Sequence, residues 1–266
     1  MRHLLRLSFA SVLLAFFLAS HVHAQATQKV VDIPTRPGVT QRMLVLPVPE
    51  PKATAILMAG GHGGLDIQPD GRIASLADNF LVRSRQLFAD QGFMVVVVDA
   101  PSDRSGLPYL NGFRQTAEHV SDLKAVIAWA RTQAKAPVWL VGTSRGTQSA
   151  GFAATELQGA DAPDGIVLSS TILADEKSRP VPAMPLDRIR VPVLVVHHEQ
   201  DGCRLCAFSD IPSMMDKLGN APRRELLSFK GGANKGDPCG ARAHHGFNGI
   251  ESEVVARMAN WILAAK

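Results

Sequence analysis

The sequence is short of cysteine, of net charge and of long apolar runs, and each shortage closes a class of function. Three cysteines in 266 residues are too few for a small disulfide-held scaffold, and an odd number cannot all pair within one chain. Lys and Arg outnumber Asp and Glu by only 28 to 24, and the basic residues are scattered. The formal charge of +4 is therefore poor support for a nucleic-acid partner. Charged residues at 20% and hydrophobic ones at 46% exclude a disordered or collagen-like chain. Beyond residue 24 no stretch is long and apolar enough to span a bilayer. Repeats, low-complexity tracts and a domain-splitting linker are absent as well. What is left is a globular chain with enough apolar residues for a substantial core.

The longest apolar stretch stands at the N-terminus. Residues 1–6 are basic, 7–19 are almost wholly apolar, and Val22-His23-Ala24 sets small residues three apart. This is the layout of a secretory signal peptide, with cleavage expected after Ala24. The apolar run is shorter than the ~20 residues that a membrane anchor needs. The expected organisation is thus a signal peptide at 1–24 and one domain at 25–266. Removing the leader takes away Arg2 and Arg6 and no acid, so the net charge falls to +2 and the case for nucleic acid weakens further. The expected location is periplasmic or secreted, with no membrane attachment once the leader is gone. In such compartments cysteine pairs persist.

Along the rest of the chain, short β-rich apolar runs alternate with helical periodicity. Strands are expected at 29–33, 41–46, 55–59, 93–98, 138–141, 166–168, 193–196 and 225–229. Helices are expected at 79–91, 116–134, 144–157 and 251–265. The continuous apolar runs, such as 93–98, suit strands buried on both faces of a parallel sheet. Alternation of strand and helix over this length predicts an α/β domain with a mostly parallel sheet.

Chemistry is concentrated in Gly142-Thr143-Ser144-Arg145-Gly146, between an apolar strand and a helix. A serine at such a corner sits in a tight strained turn with its hydroxyl held above the sheet edge. The flanking glycines are needed because a Cβ there would strike neighbouring backbone. A serine hydroxyl is a weak nucleophile near neutral pH, so it requires a base, and the base an orienting group. Asp201 follows the strand at 193–196 and is the candidate orienting acid. His244 and His245 follow the last strand. His245 is the candidate base, because Gly246 lets the backbone turn its ring toward the serine, and His244 is the alternative.

These features together resemble the α/β-hydrolase superfamily, and more narrowly the exported bacterial hydrolases related to dienelactone hydrolases and prolyl-peptidase catalytic domains. The resemblance covers essentially the whole chain after residue 24. It implies an α/β-hydrolase fold: an eight-stranded sheet with its second strand antiparallel and helices on both faces. It implies an acyl-enzyme mechanism with Ser144, His245 and Asp201 as a triad, and no cofactor. The implied partner is a small ester-type substrate. With no propeller or lid to select peptides, a carboxylic ester or thioester is expected. A peptidase or amidase, or a catalytically silent binding protein on the same fold, are the alternatives. The interval between acid and base is longer than the family commonly shows, because of a glycine-rich insertion at 231–243 that contains Cys239.

Aligning Gly60-Gly61-His62-Gly63-Gly64 with the family's His-Gly-X turn makes the backbone N–H of His62 one oxyanion donor, beside that of Arg145. This loop lacks the lysine of a P-loop and the spacing of a dinucleotide fingerprint. Only about two dozen residues separate the strands at 166–168 and 193–196, too few for a large lid, so an open cleft is expected. Segments 101–113 and 65–73 would wall it, and Gly61, Arg104, Tyr109 and the Arg145 side chain would meet substrate. Cys203, Cys206, Cys239, His244 and His245 could also suggest zinc. Export favours a disulfide, and no metal is expected. If acid and base loops converge, Cys203–Cys239 would tether them; Cys206–Cys239 is the alternative, and either leaves one thiol over.

Overall fold

The structure is a computed structural model and describes residues 27–264; the leader expected at 1–24 lies outside them. Eight strands form one sheet in the order β1-β2-β4-β3-β5-β6-β7-β8. They are β1 (Lys29–Arg36), β2 (Val39–Leu46), β3 (Ala53–Met58), β4 (Phe93–Val98), β5 (Val138–Thr143), β6 (Gly165–Ser169), β7 (Val193–His198) and β8 (Arg224–Phe229). Strand β2 runs antiparallel to both β1 and β4, and every other pairing is parallel. Each segment read as a strand is one.

The apolar runs are continuous because alternate residues feed two separate cores. From β4, Met94, Val96 and Val98 pack with Leu123, Val126 and Ile127 of helix α3 (Ala117–Gln133) and with Ala150 and Ala153 of helix α4 (Gly146–Glu156). Phe93, Val95 and Val97 face the other way, toward Val254, Met258 and Trp261 of helix α6 (Glu251–Leu263). A strand that is apolar at both parities is stable only when both its faces are covered.

Two helical features depart from expectation. The helix expected at 79–91 is divided at Ser84 into α1 (Phe80–Arg83) and α2 (Arg85–Asp90). The two pieces pack on different partners: Phe80 lies against Phe247, with ring centroids 4.9 Å apart, and Phe88 against Phe93 at 6.2 Å. A one-and-a-half-turn helix, α5 (Ile211–Asp216), follows β7 and is too short for its periodicity to register in sequence. Between β6 and β7 the chain forms only the short 3₁₀ turns Val181–Ala183 and Leu186–Arg188, and no helical lid.

The parallel strands all end at one sheet edge, where the loops after β3, β4, β5, β6, β7 and β8 meet. In open α/β sheets that edge is where ligands bind.

Candidate active site

Strand β5 delivers Ser144 to this edge. Ser144 adopts φ = 52°, a left-handed conformation that L-residues other than glycine rarely take, and it is half-buried. The turn is over-determined by its bonds. Ser144 N–H donates to Ser169 O at 2.9 Å, and Ser144 O accepts from both the N–H (2.9 Å) and the hydroxyl (2.6 Å) of Thr147. A Cβ on Gly142 would collide with the Gly146 carbonyl, and one on Gly146 with the Met58 carbonyl. Glycine is therefore the residue that lets β5, α4 and β3 approach this closely.

Asp201 and His245 are brought together although 44 residues separate them. His245 Nδ1 lies 2.9 Å from Asp201 Oδ2, and the carboxylate is fully buried. Asp201 Oδ1 accepts from the Cys203 N–H at 2.9 Å, which orients the carboxylate. With Nδ1–H donating to Asp201, the other ring nitrogen is the basic one. That atom, Nε2, is buried and has no hydrogen-bond partner among the described residues. Ser144 is hydrogen-bonded to neither residue, but it and His245 are tied to one turn: Ser169 O takes the Ser144 N–H, and the Ser170 hydroxyl donates to His245 O at 2.7 Å.

His244 goes elsewhere. Its ring stacks on His198 at a centroid distance of 4.1 Å, and its Nδ1 lies 3.2 Å from Gln200 O. Gly246 serves a different purpose from the one inferred from sequence. Its φ is not left-handed; a Cβ there would strike the Ala241 carbonyl, so close approach is what demands glycine.

A disulfide joins Cys203 to Cys239, with Cα atoms 4.4 Å apart. It ties the loop after Asp201 to the loop before His245. Cys206 is a free, buried thiol whose Sγ donates to Ser170 O at 3.3 Å, and burial raises its pKa well above the usual thiol range. Ligand atoms of Cys203, Cys206 and His245 lie within 4.8 Å of one another. Cys203 is committed to the disulfide, however, and His244 and Cys239 do not join the group.

The glycine loop after β3 is held from two directions. Asp99, directly after β4, accepts from the N–H groups of Leu65 (2.7 Å), Ile67 (2.8 Å) and Ala100 (2.7 Å). Arg114 lies beneath the other end, bonded to the carbonyls of residues 59–61. The backbone N–H groups of His62 and Arg145 find no acceptor among the described residues. The His62 ring accepts from Gly64 N–H at Nδ1 (3.1 Å) and stacks on Tyr109 at 4.6 Å. Burial, then the Arg114 charge, lower its pKa, which favours the neutral ring. Gly61 is exposed on the same loop.

A cavity of about 570 Å³ opens beside Arg145, lined by Leu110, Arg114, Gln148 and Arg179 among others. Segment 65–73 takes no part in its wall; residues 177–179 do. The Arg145 guanidinium is already paired, with Asp175 at 2.7 Å and Ser178 at 3.2 Å. Arg104 is exposed and lies 4.6 Å over the Phe113 ring, in a separate depression shared with Tyr109.

Asp99, Arg114, His119 and His197 were not singled out from sequence. Asp99 and His197 carried a signal, their place at the carboxyl ends of buried strands; Arg114 and His119 carried none. His197 Nε2 accepts from Thr171 N–H at 2.7 Å, and burial pushes this ring down to about 4. His119 lies 2.9 Å from the Ser149 hydroxyl, and burial followed by the Arg114 charge pushes it down to about 3. Both rings are neutral in the folded state and ordinary in the unfolded one, so the unfolded chain binds more protons between these values and ~6.5. Stability is therefore full above pH ~6.5 and falls as pH drops toward 4. Calorimetry from pH 7.5 to 4.5 should show Tm level down to about pH 6.5 and falling below it, and replacing His197 by Gln should flatten that fall.

No family model matches the chain, and no curated protein matches it in sequence. Solved structures do match in shape. An esterase from Pyrococcus furiosus superposes with a TM-score of 0.64 at 14% identity, over 89% of this chain and 90% of its own. A dienelactone hydrolase from Anabaena variabilis gives 0.58 at 13% identity, over 90% and 96%. An α/β serine hydrolase without lid from Xanthomonas campestris gives 0.53 at 18% identity, over 88% and 95%.

Proposed function

We propose that this chain, which has the α/β-hydrolase fold shared with those structures, is a serine hydrolase that cleaves carboxylic esters or thioesters through an acyl-enzyme. The observation that carries the reading is the Asp201–His245 hydrogen bond. It leaves a buried, unpartnered Nε2 at the edge where the turn after β5 presents a serine. In the proposed cycle Ser144 Oγ attacks the carbonyl carbon while His245 Nε2 takes its proton. Asp201 holds the imidazolium that results. The N–H groups of Arg145 and His62 stabilise the tetrahedral oxyanion. Collapse expels the alcohol or thiol, protonated by His245, and water then repeats the sequence on the acyl-serine.

The short β6–β7 connection, with no helical lid to select peptides, supports small esters as substrates. Gly61 lies in the proposed oxyanion loop and Tyr109 stacks on its His62; Arg104, in the depression it shares with Tyr109, would meet a substrate that extends there. We place the protein in the periplasm or outside the cell, on the strength of the leader sequence and the Cys203–Cys239 disulfide. No described helix is long and apolar enough to cross a membrane.

Labelling with a fluorophosphonate probe tests the reading. One label per chain is expected, on Ser144 by peptide mass spectrometry, together with turnover of a panel of short and long acyl esters. Label on another residue, or a folded protein with neither labelling nor turnover, would overturn it and favour a silent binding protein.

A further inference from the structure

We infer that Arg114 is a positioning residue for the oxyanion-binding amide, acting through the Gly61–His62 peptide unit; the inference rests on the serine-hydrolase reading above. The starting observation is a buried charge without a counter-charge. Arg114 is 5% exposed, and no carboxylate lies within ion-pair distance of it among the described residues. Burial lowers its pKa to about 9, so it remains cationic at neutral pH. A neighbouring titratable ring, His119, is neutral and shares the Ser149 hydroxyl with it. An unpaired buried cation is costly, and here its Nη donors are spent on backbone carbonyls and one hydroxyl instead of an acid, while Nε has no partner among the described residues.

Those carbonyls are consecutive and belong to the glycine loop. Nη2 reaches Ala59 O at 3.0 Å, Gly60 O at 3.4 Å and Gly61 O at 3.2 Å, while Nη1 donates to Ser149 Oγ at 2.9 Å. The Gly61 C=O and the His62 N–H are two ends of one planar trans amide and point in opposite directions. Holding the carbonyl down on the guanidinium therefore turns the N–H up, away from the core. This loop abuts the nucleophile: a Cβ on Gly60 would lie 2.8 Å from Ser144 Cβ and 3.3 Å from its Oγ.

Two effects follow from this arrangement. The charged bond fixes the amide plane, so the donor needs no reorganisation when negative charge develops. It also polarises the amide, since a carbonyl bonded to a cation makes its own N–H a stronger donor. Asp99 completes the clamp by accepting from N–H groups further along the same loop. Lysine has one ammonium and could not span three carbonyls and a hydroxyl at once.

The test compares Arg114→Gln and Arg114→Lys with wild type, counting active sites by fluorophosphonate titration so that misfolded protein is excluded. Expected is a fall in kcat per labelled site of about 10- to 100-fold with KM within about 3-fold, the pattern of an interaction made only in the transition state. Affinity for a boronic acid, which forms a tetrahedral anionic adduct on serine, should fall in parallel. Lys should be intermediate, and millimolar guanidinium should restore part of kcat to Arg114→Ala. A merely structural role would lower Tm and the number of labelled sites while leaving kcat per site and boronate affinity unchanged, and that result would overturn the inference. If Arg114→Gln does not fold, Arg114→Lys, which keeps the charge and loses the fork, decides it. Failure of wild type to label at Ser144 would instead remove the underlying reading.

Discussion

His245→Ala and Ser144→Ala should each lower kcat by roughly 10⁴- to 10⁶-fold, and Asp201→Asn by roughly 10⁴-fold, on a short acyl ester. The residues act as a unit, so the double variant His245→Ala/Ser144→Ala should be little worse than either alone. The expectation for Asp201→Asn follows from tautomer control. The buried carboxylate accepts from Nδ1–H and thereby keeps Nε2 free of its proton, whereas an amide nitrogen in that place would reverse the donor and acceptor roles. His244→Ala is the informative control, because its ring stacks on His198 and faces Gln200 O rather than Asp201. It should stay within about 3-fold of wild type. A larger loss in His244→Ala than in His245→Ala would exchange their assignments. Turnover normalised to the concentration of folded protein measures all of these.

Cys239→Ser should lower stability by about 3–4 kcal/mol, the loop-closure value for cross-linked residues 36 apart in sequence. For a domain of this size that corresponds to a fall in Tm of roughly 6–16 °C. Activity should fall as well, because the bridge holds the loop after Asp201 against the segment that leads to His245. Cys239 is the site to change because it is exposed, whereas Cys203 is buried next to the Asp201 carboxylate. Wild type in excess dithiothreitol should behave like the variant, and thiol counting should rise from one to three. Unchanged Tm and kcat in protein shown to be fully reduced would discard the tether. Cys206→Ala gives the contrast, since this thiol is buried outside the bridge and its loss should cost packing, not the link between loops.

The parts legible in the sequence are those whose physics is local. A six-residue apolar run such as Phe93–Val98 cannot be soluble unless both faces are covered, so it announces a central strand wherever it is placed. The elbow is equally local. Gly142, Ser144 and Gly146 lie within five residues, and the clashes that demand glycine come from the turn and the strand beside it. Asp201 and the histidine pair were readable from their order after successive strands, because parallel topology sends each such loop to the same edge.

What needed the tertiary structure depends on contacts between segments far apart in the chain. The histidine whose ring meets Asp201 is decided by how the segment from 231 to 246 packs, and the Cys203–Cys239 bridge by the same packing. The split at Ser84 accompanies contacts with different aromatic partners, Phe247 for one half-helix and Phe93 for the other. Arg114 is the extreme case. In sequence it is one arginine among many in a loop, with no spacing to mark it. Its meaning arises only when that loop passes under residues 59–61 and a buried charge must take its hydrogen bonds from backbone carbonyls. Sequence by itself determined the sheet, the turn that carries Ser144 and the candidate acid, because backbone sterics and burial act over a few residues. Folding was needed to choose between His244 and His245 as the ring that meets Asp201, to choose between the two cysteine pairings, and to set a cation behind the glycine loop, because hydrogen bonds and charges act across space.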